Sequence, residues 1–184
     1  MDANDKYLLG MLWKFGTLKP GTGQFAFDTY DKLEQLEYIR KVLAPDKQIR
    51  TYVRKDSNNG KDKITYRLRC TNDDWADKVK AYKGIKADKI ADEHFIRGFL
   101  EVKSAVVKSG ATKQFNICGT SDELEIVSRI LSETFGIKRA PIYKANNLRG
   151  SIVYGVKDTE KFAMHYAKQN SKFWNGIMDK MKEK

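Results

Sequence analysis

Two hydrophobic periods alternate along the chain. Residues 5–15 carry Tyr7, Leu8, Leu9, Met11, Leu12, Trp13 and Phe15, apolar on nearly every side of a helix, so the run predicts a helix buried all round. "GQFAFDT" then sets Gln24, Ala26 and Asp28 against Phe25 and Phe27, the period of two that a half-buried strand requires. The "KPGTGQ" that leads into it predicts a hairpin turn; it lacks the Lys-Ser/Thr ending of a phosphate loop. An amphipathic helix follows over 30–43, with Leu33, Leu36, Ile39 and Val42 at helical spacing and Ala44-Pro45 as its stop. Alternating runs start again at Gln48 ("QIRTYVR") and Ile64 ("ITYRLRC"), and the polar "KDSNNGKDK" between them predicts a hairpin loop. "TNDDWADKVKAYKG" predicts a capped helix that ends at a glycine.

The same order then returns. A helix over 92–102 leads into the hairpin "SAVVKS"/"ATKQFNIC" about Gly110. A helix capped by Thr120 or Ser121 runs to Phe135, strands follow at "RAPIYK" and "GSIVYGV", and a helix begins at Asp158. Gly10 and Gly98, Gln24 and Gln114, Asp31 and Asp122, Trp75 and Phe162 are each separated by about ninety residues, a steadiness that marks an internal repeat. The chain therefore predicts an α+β fold of two pseudo-symmetric αββαββα halves, 1–88 and 89–184. A further C-terminal helix from about Ser171 carries Phe173, Trp174, Ile177, Met178 and Met181 on one face as core packing.

With 184 residues and 41% hydrophobic content the chain can bury a sizeable core, which excludes disorder as the default. Its 35 Lys and Arg against 24 Asp and Glu leave a net charge of +11, spread along the chain rather than gathered in a tail. Such a surplus points to a polyanion met by a folded surface. Cys70 and Cys118 lie among apolar strand residues and read as buried, reduced thiols. His94 and His165 lack neighbours at metal-ligand spacing, so neither a zinc site nor any cofactor is expected. No leader and no apolar run of spanning length occurs, which predicts a soluble cytoplasmic protein with no membrane partner.

"YLLGMLWKFGTL" and "FIRGFLEVKSAV" are the two copies of the repeat's first helix, and both place glycine at the same position. A run of the form Leu-Leu-Gly-Met-Leu-x-x-x-Gly, present twice and followed by strand hairpins, resembles the LAGLIDADG homing endonucleases in their single-chain, two-motif form. The resemblance covers essentially the whole chain. It implies two motif helices packed side by side at a pseudo-twofold axis, with two antiparallel sheets forming a saddle over the DNA major groove. Gly10 and Gly98 would allow that close approach, because glycine has no Cβ. The resemblance also implies an acidic residue at the eighth motif position, where the family binds its catalytic divalent metal. Here those positions are Phe15 and Lys103, and neither an aromatic ring nor an ammonium can ligate magnesium. Glu101 lies two positions earlier, pointing elsewhere on its helix, and reads as a surface or interface charge. Phe15 reads as packing; Lys103 is either incidental or holds a phosphate.

The polar strand positions supply the candidate binding surface. Gln24, Gln48, Arg50, Tyr52, Arg54, Arg67 and Arg69 alternate with apolar residues in the first half; Gln114, Asn116, Arg139, Tyr143, Arg149 and Ser151 are their counterparts in the second. Arg, Gln and Asn can bond bidentately to guanine and adenine edges, and these faces look poor in acids. The expectation is a monomeric, catalytically inactive LAGLIDADG-like protein that binds double-stranded DNA sequence-specifically, as a regulator or blocking factor. The alternatives are an RNA-binding group I intron maturase, a role that does not need the metal acids, and an endonuclease using displaced acids such as Asp28 or Asp92.

Overall fold

The computed structural model describes residues 1–55, 60–144, 149–169 and 172–183. Residues 56–59 of the "KDSNNGKDK" loop and the expected start of the last helix at Ser171 lie outside them. Each half has a four-stranded antiparallel sheet. The first half consists of α1 (Ala3–Leu12), β1 (Thr17–Leu18), β2 (Gln24–Thr29), α2 (Leu33–Leu43), β3 (Arg50–Lys55), β4 (Asp62–Thr71) and α3 (Asp73–Ala81), with strand order β1-β2-β4-β3. A 3-10 turn over Gly84–Lys89 leads to α4 (Glu93–Lys103), β5 (Ser104–Ser109), β6 (Thr112–Gly119), α5 (Ser121–Phe135), β7 (Tyr143–Lys144), β8 (Gly150–Tyr154) and α6 (Val156–Ala167). The second sheet repeats the order, β5-β6-β8-β7, and α7 (Lys172–Lys182) closes the described chain.

Local chemistry explains where the elements begin and turn. Asp2, Asn72 and Asp92 cap α1, α3 and α4 by accepting backbone N–H bonds, and Thr120 with Glu123 forms a capping box on α5. Gly110 takes a φ of 60° at the tip of the β5–β6 hairpin, a conformation that costs glycine little.

The two motif helices, α1 and α4, pack directly on each other at the centre. A Cβ on Gly10 would stand 1.9 Å from the carbonyl oxygen of Phe95, and one on Gly98 would stand 2.0 Å from that of Tyr7. Phe95 precedes Gly98 by the same step as Tyr7 precedes Gly10, so the contact is the same from both sides, as a twofold relation demands. Trp13 completes the seam with its ring 5.1 Å from those of Phe95 and Phe99. Phe25, Phe27, Leu68 and Cys70 are buried on the inner face of the first sheet; Phe115, Ile117, Ile152 and Tyr154 are buried on that of the second. The opposite sheet faces are thereby left to solvent.

Several details differ from the sequence pattern. Helix α1 stops at Leu12, and the chain then turns through Gly16 at a φ of 82° into β1. Val42 is 41% exposed, because the buried stripe of α2 runs through Gln35, Leu36, Ile39 and Leu43 instead. Cys118 is exposed: it follows the inward Ile117, and the strand period turns it to the outer face. Glu101 is neither exposed nor idle. Only 2% accessible, it accepts hydrogen bonds from Tyr7 Oη at 2.6 Å and Trp174 Nε1 at 2.7 Å, with Arg97 Nε 3.5 Å away. It thus ties α7 to the motif-helix seam. No helix among the described residues is long and apolar enough to cross a membrane.

Candidate nucleic-acid interface

Register decides what the outer face of the first sheet presents. Gln24 pairs with Thr71, Ala26 with Arg69 and Asp28 with Arg67; on the other side of β4, Arg50 pairs with Arg67, Tyr52 with Thr65 and Arg54 with Lys63. Directly paired residues share a face, so Gln24, Asp28, Arg50, Tyr52, Arg54, Arg67 and Arg69 all stand on one side. Gln48 lies just before β3 rather than in it, yet it lines the same hollow of about 350 Å³ with Lys47, Arg50, Tyr52, Arg67 and Arg69.

Asp28 organises this face. Its carboxylate accepts from Arg67 Nε and from Arg69 Nη2, both at 2.7 Å. Partial burial pushes the carboxyl up, but the hydrogen bonds and charges of Arg67 and Arg69 outweigh it and hold the group below the usual carboxylate range. The two arginines are not equivalent. Arg69 Nη1 also donates to the carbonyls of Phe27 at 2.9 Å and Leu68 at 3.1 Å, which lays its guanidinium along the backbone. Arg67 instead stands over the Tyr52 ring, 4.8 Å from its centroid. Hydrogen bonds and charge from Arg50 and Arg67 lower the Tyr52 phenol below its ordinary range.

The second sheet is built differently. Gln114 pairs with Val107, Asn116 with Ala105 and Val153, and Cys118 with Ser151, which itself pairs with Tyr143. No charged side chain stands at these paired outward positions. Asn116 Oδ1 is buried and has no hydrogen-bond partner among the described residues.

Between the sheets, at the ends of the motif helices, a cleft of about 420 Å³ is lined by Lys14, Lys103, Asn116, Cys118, Arg149 and Ser151, with Glu123 at its wall. Lys14 pairs with Glu123 at 2.7 Å. Burial lowers the Lys103 ammonium, and the repulsion of Lys14 and Arg149 lowers it further. Phe15 is partly buried with its ring 5.7 Å from that of Phe27, a packing residue.

Divalent-cation chemistry does not fit these helix ends. The two positions offer a ring and an ammonium, and the field is set by three basic side chains. The nearby acids are engaged: Asp28 by two arginines, Glu123 by Lys14 and the Thr120 backbone N–H, Glu101 in the core. Asp92 caps the far end of α4 and pairs with Lys6 at 2.7 Å, so it cannot act with Asp28.

Arg139 stands apart from the other candidates. The expected strand there shrinks to Tyr143–Lys144, because Pro141 offers no ladder N–H, and Arg139 lies beyond α5 with its guanidinium 3.8 Å from Glu133. It lines a separate hollow with Asp88, Asp122 and Glu125. One participant was missed from sequence, and another was read there only as a displaced acid. Lys14 had no signal beyond standing next to Phe15. Asp28 was visible on the outer side of its strand, but its role needed the pairing with Arg67.

No protein-family model and no curated protein sequence matches the chain. Solved structures do. The homing endonuclease I-WcaI bound to its DNA recognition sequence is similar with a TM-score of 0.65 at 16% identity, over 88% of this chain and 79% of that one. The N-terminal LAGLIDADG domain of DUF199/WhiA gives 0.59 at 19% identity, over 87% and 78%. I-DmoI in complex with DNA and Mn gives 0.54 at 14% identity, over 88% and 94%. The fold is that of the LAGLIDADG homing endonucleases and of the LAGLIDADG domain of WhiA.

Proposed function

We propose that this chain is a monomeric cytoplasmic protein that binds double-stranded DNA sequence-specifically and does not cut it, serving as a regulator or blocking factor. The observation that carries this reading is the gathering of Gln48, Arg50, Tyr52, Arg67 and Arg69 in one hollow on a solvent-facing sheet. A strand layer of that kind fits the major groove, and its side chains match purine edges. Lys14, Lys103 and Arg149 supply positive charge between the two sheets, where a backbone crossing both would pass. Both halves belong to one chain, so no second copy is needed to complete the surface. The ring and ammonium at the helix ends support binding without hydrolysis.

The test compares random duplex DNA, a selected duplex pool and structured RNA at one salt concentration, with magnesium and with manganese. Tight binding to the selected duplex, left uncut, is the expected result. Preference for structured RNA, or cleavage that is lost on changing an acidic residue of this chain, would overturn it.

A further inference from the structure

Resting on the duplex-binding reading above, we infer that the recognised site is non-palindromic in a definite way: guanine-bearing beneath the first sheet and A·T-rich beneath the second. The two outer faces have the same topology but different chemistry. The first presents guanidinium groups at Arg50, Arg54 and Arg67, and the fork of arginine matches the paired O6 and N7 acceptors of guanine. Asp28 holds Arg67 at Nε while Tyr52 supports its plane, so the group is oriented before any partner arrives. Lys63 and Arg69 add charge of the same sign.

Among the described residues, the second face has no charged residue at its paired outward positions. It carries two amides, Gln114 and Asn116, and an amide is the side chain that bonds adenine through N6 and N7 together. Asn116 Oδ1 is buried and without a hydrogen-bond partner among the described residues, so Gln114 is the amide that this face offers a base. Beside the amides stand Val107, Ala105 and Val153, whose methyl groups can meet the thymine C5-methyl. Amides flanked by methyls suit A·T pairs, and among the described residues no paired outward position of this sheet offers guanine a cationic fork. Cationic grip independent of sequence is left to Lys14, Lys103 and Arg149 between the sheets.

The full chain is used to select binding sites from a random duplex pool at about 0.15 M salt. The selected sites should align without twofold symmetry, guanine enriched in one half and A·T in the other. Arg67→Ala should relax preference only in the guanine half, by roughly five- to a hundredfold at the affected position. Arg67→Lys keeps the charge and should lose the same preference while holding random DNA as tightly as the parent. Gln114→Ala combined with Asn116→Ala should relax only the A·T half. Palindromic sites, like composition in both halves, or an Arg67 variant that relaxes the A·T half would overturn the inference while leaving duplex recognition intact. Duplex binding with no sequence enriched, or no duplex binding, would retire the parent reading and this one together.

Discussion

The backbone of Gly98 lies against the carbonyl oxygen of Tyr7 so closely that a Cβ would stand 2.0 Å from it, and Gly10 meets Phe95 in the same way. The obstacle in both cases is backbone, which cannot swing aside. Either Gly98→Ala or Gly10→Ala must separate the two motif helices, and overpacking against backbone should cost about 3 kcal/mol or more. Urea unfolding of each variant checks this; a loss well below 1 kcal/mol would mean that the seam has slack.

Glu101 governs stability in another way. Removing its carboxylate leaves Tyr7 Oη and Trp174 Nε1 without an acceptor and Arg97 without a counter-charge, so Glu101→Ala should destabilise by about 3 kcal/mol. Burial raises the carboxyl against the opposing pull of Tyr7, Arg97, Trp174 and Gln35. A carboxyl raised in the folded state contributes most below its unfolded value of 4.5, and that contribution is lost as pH rises through the folded value. Glu101→Gln lacks this titration. Its stability relative to the parent should therefore improve from pH 4 to pH 8, read from urea midpoints across that range.

The helices, the repeat and the buried faces of both sheets were legible because hydrophobic period and glycine placement fix them locally. The motif helices declared themselves through residues apolar on every side and through Gly10 and Gly98. The candidate surface was legible only by face. Period two assigned Asp28 and Arg67 to the outer side of their strands, but their pairing joins residues far apart in sequence and depends on register. Glu101 was left between a surface and an interface charge, and only the tryptophan that α7 brings to it from far along the chain decides for the interface. The strand expected from Arg139 is short for a local reason, Pro141.

Asp28→Asn removes the negative charge between Arg67 and Arg69. Affinity for random duplex should rise and the salt dependence should steepen by about one unit of log K against log salt. Discrimination between selected and random duplex should fall, because Arg67 loses the partner that orients it. Fluorescence anisotropy at several salt concentrations measures both; an unchanged ratio would show that Asp28 does not position Arg67.

Lys103 and Arg67 should separate grip from reading. Lys103→Ala should weaken selected and random duplex alike and make the salt slope shallower by about one. Arg67→Ala should cost about 1 to 3 kcal/mol on the selected duplex and much less on random DNA. Equal losses from both changes on both duplexes would mean that the sheet contributes charge alone.

The central claim, that the outer sheet faces and the cleft between them form a duplex-binding surface, is tested most directly by the salt dependence of binding to one selected duplex. If the basic groups along both halves neutralise about six phosphates, log K should fall against log salt with a slope near −5, at about −0.9 per phosphate. A slope of that size, with the complex intact near physiological salt, is the predicted result; a flat response would show that no polyanion occupies this surface and would contradict the account.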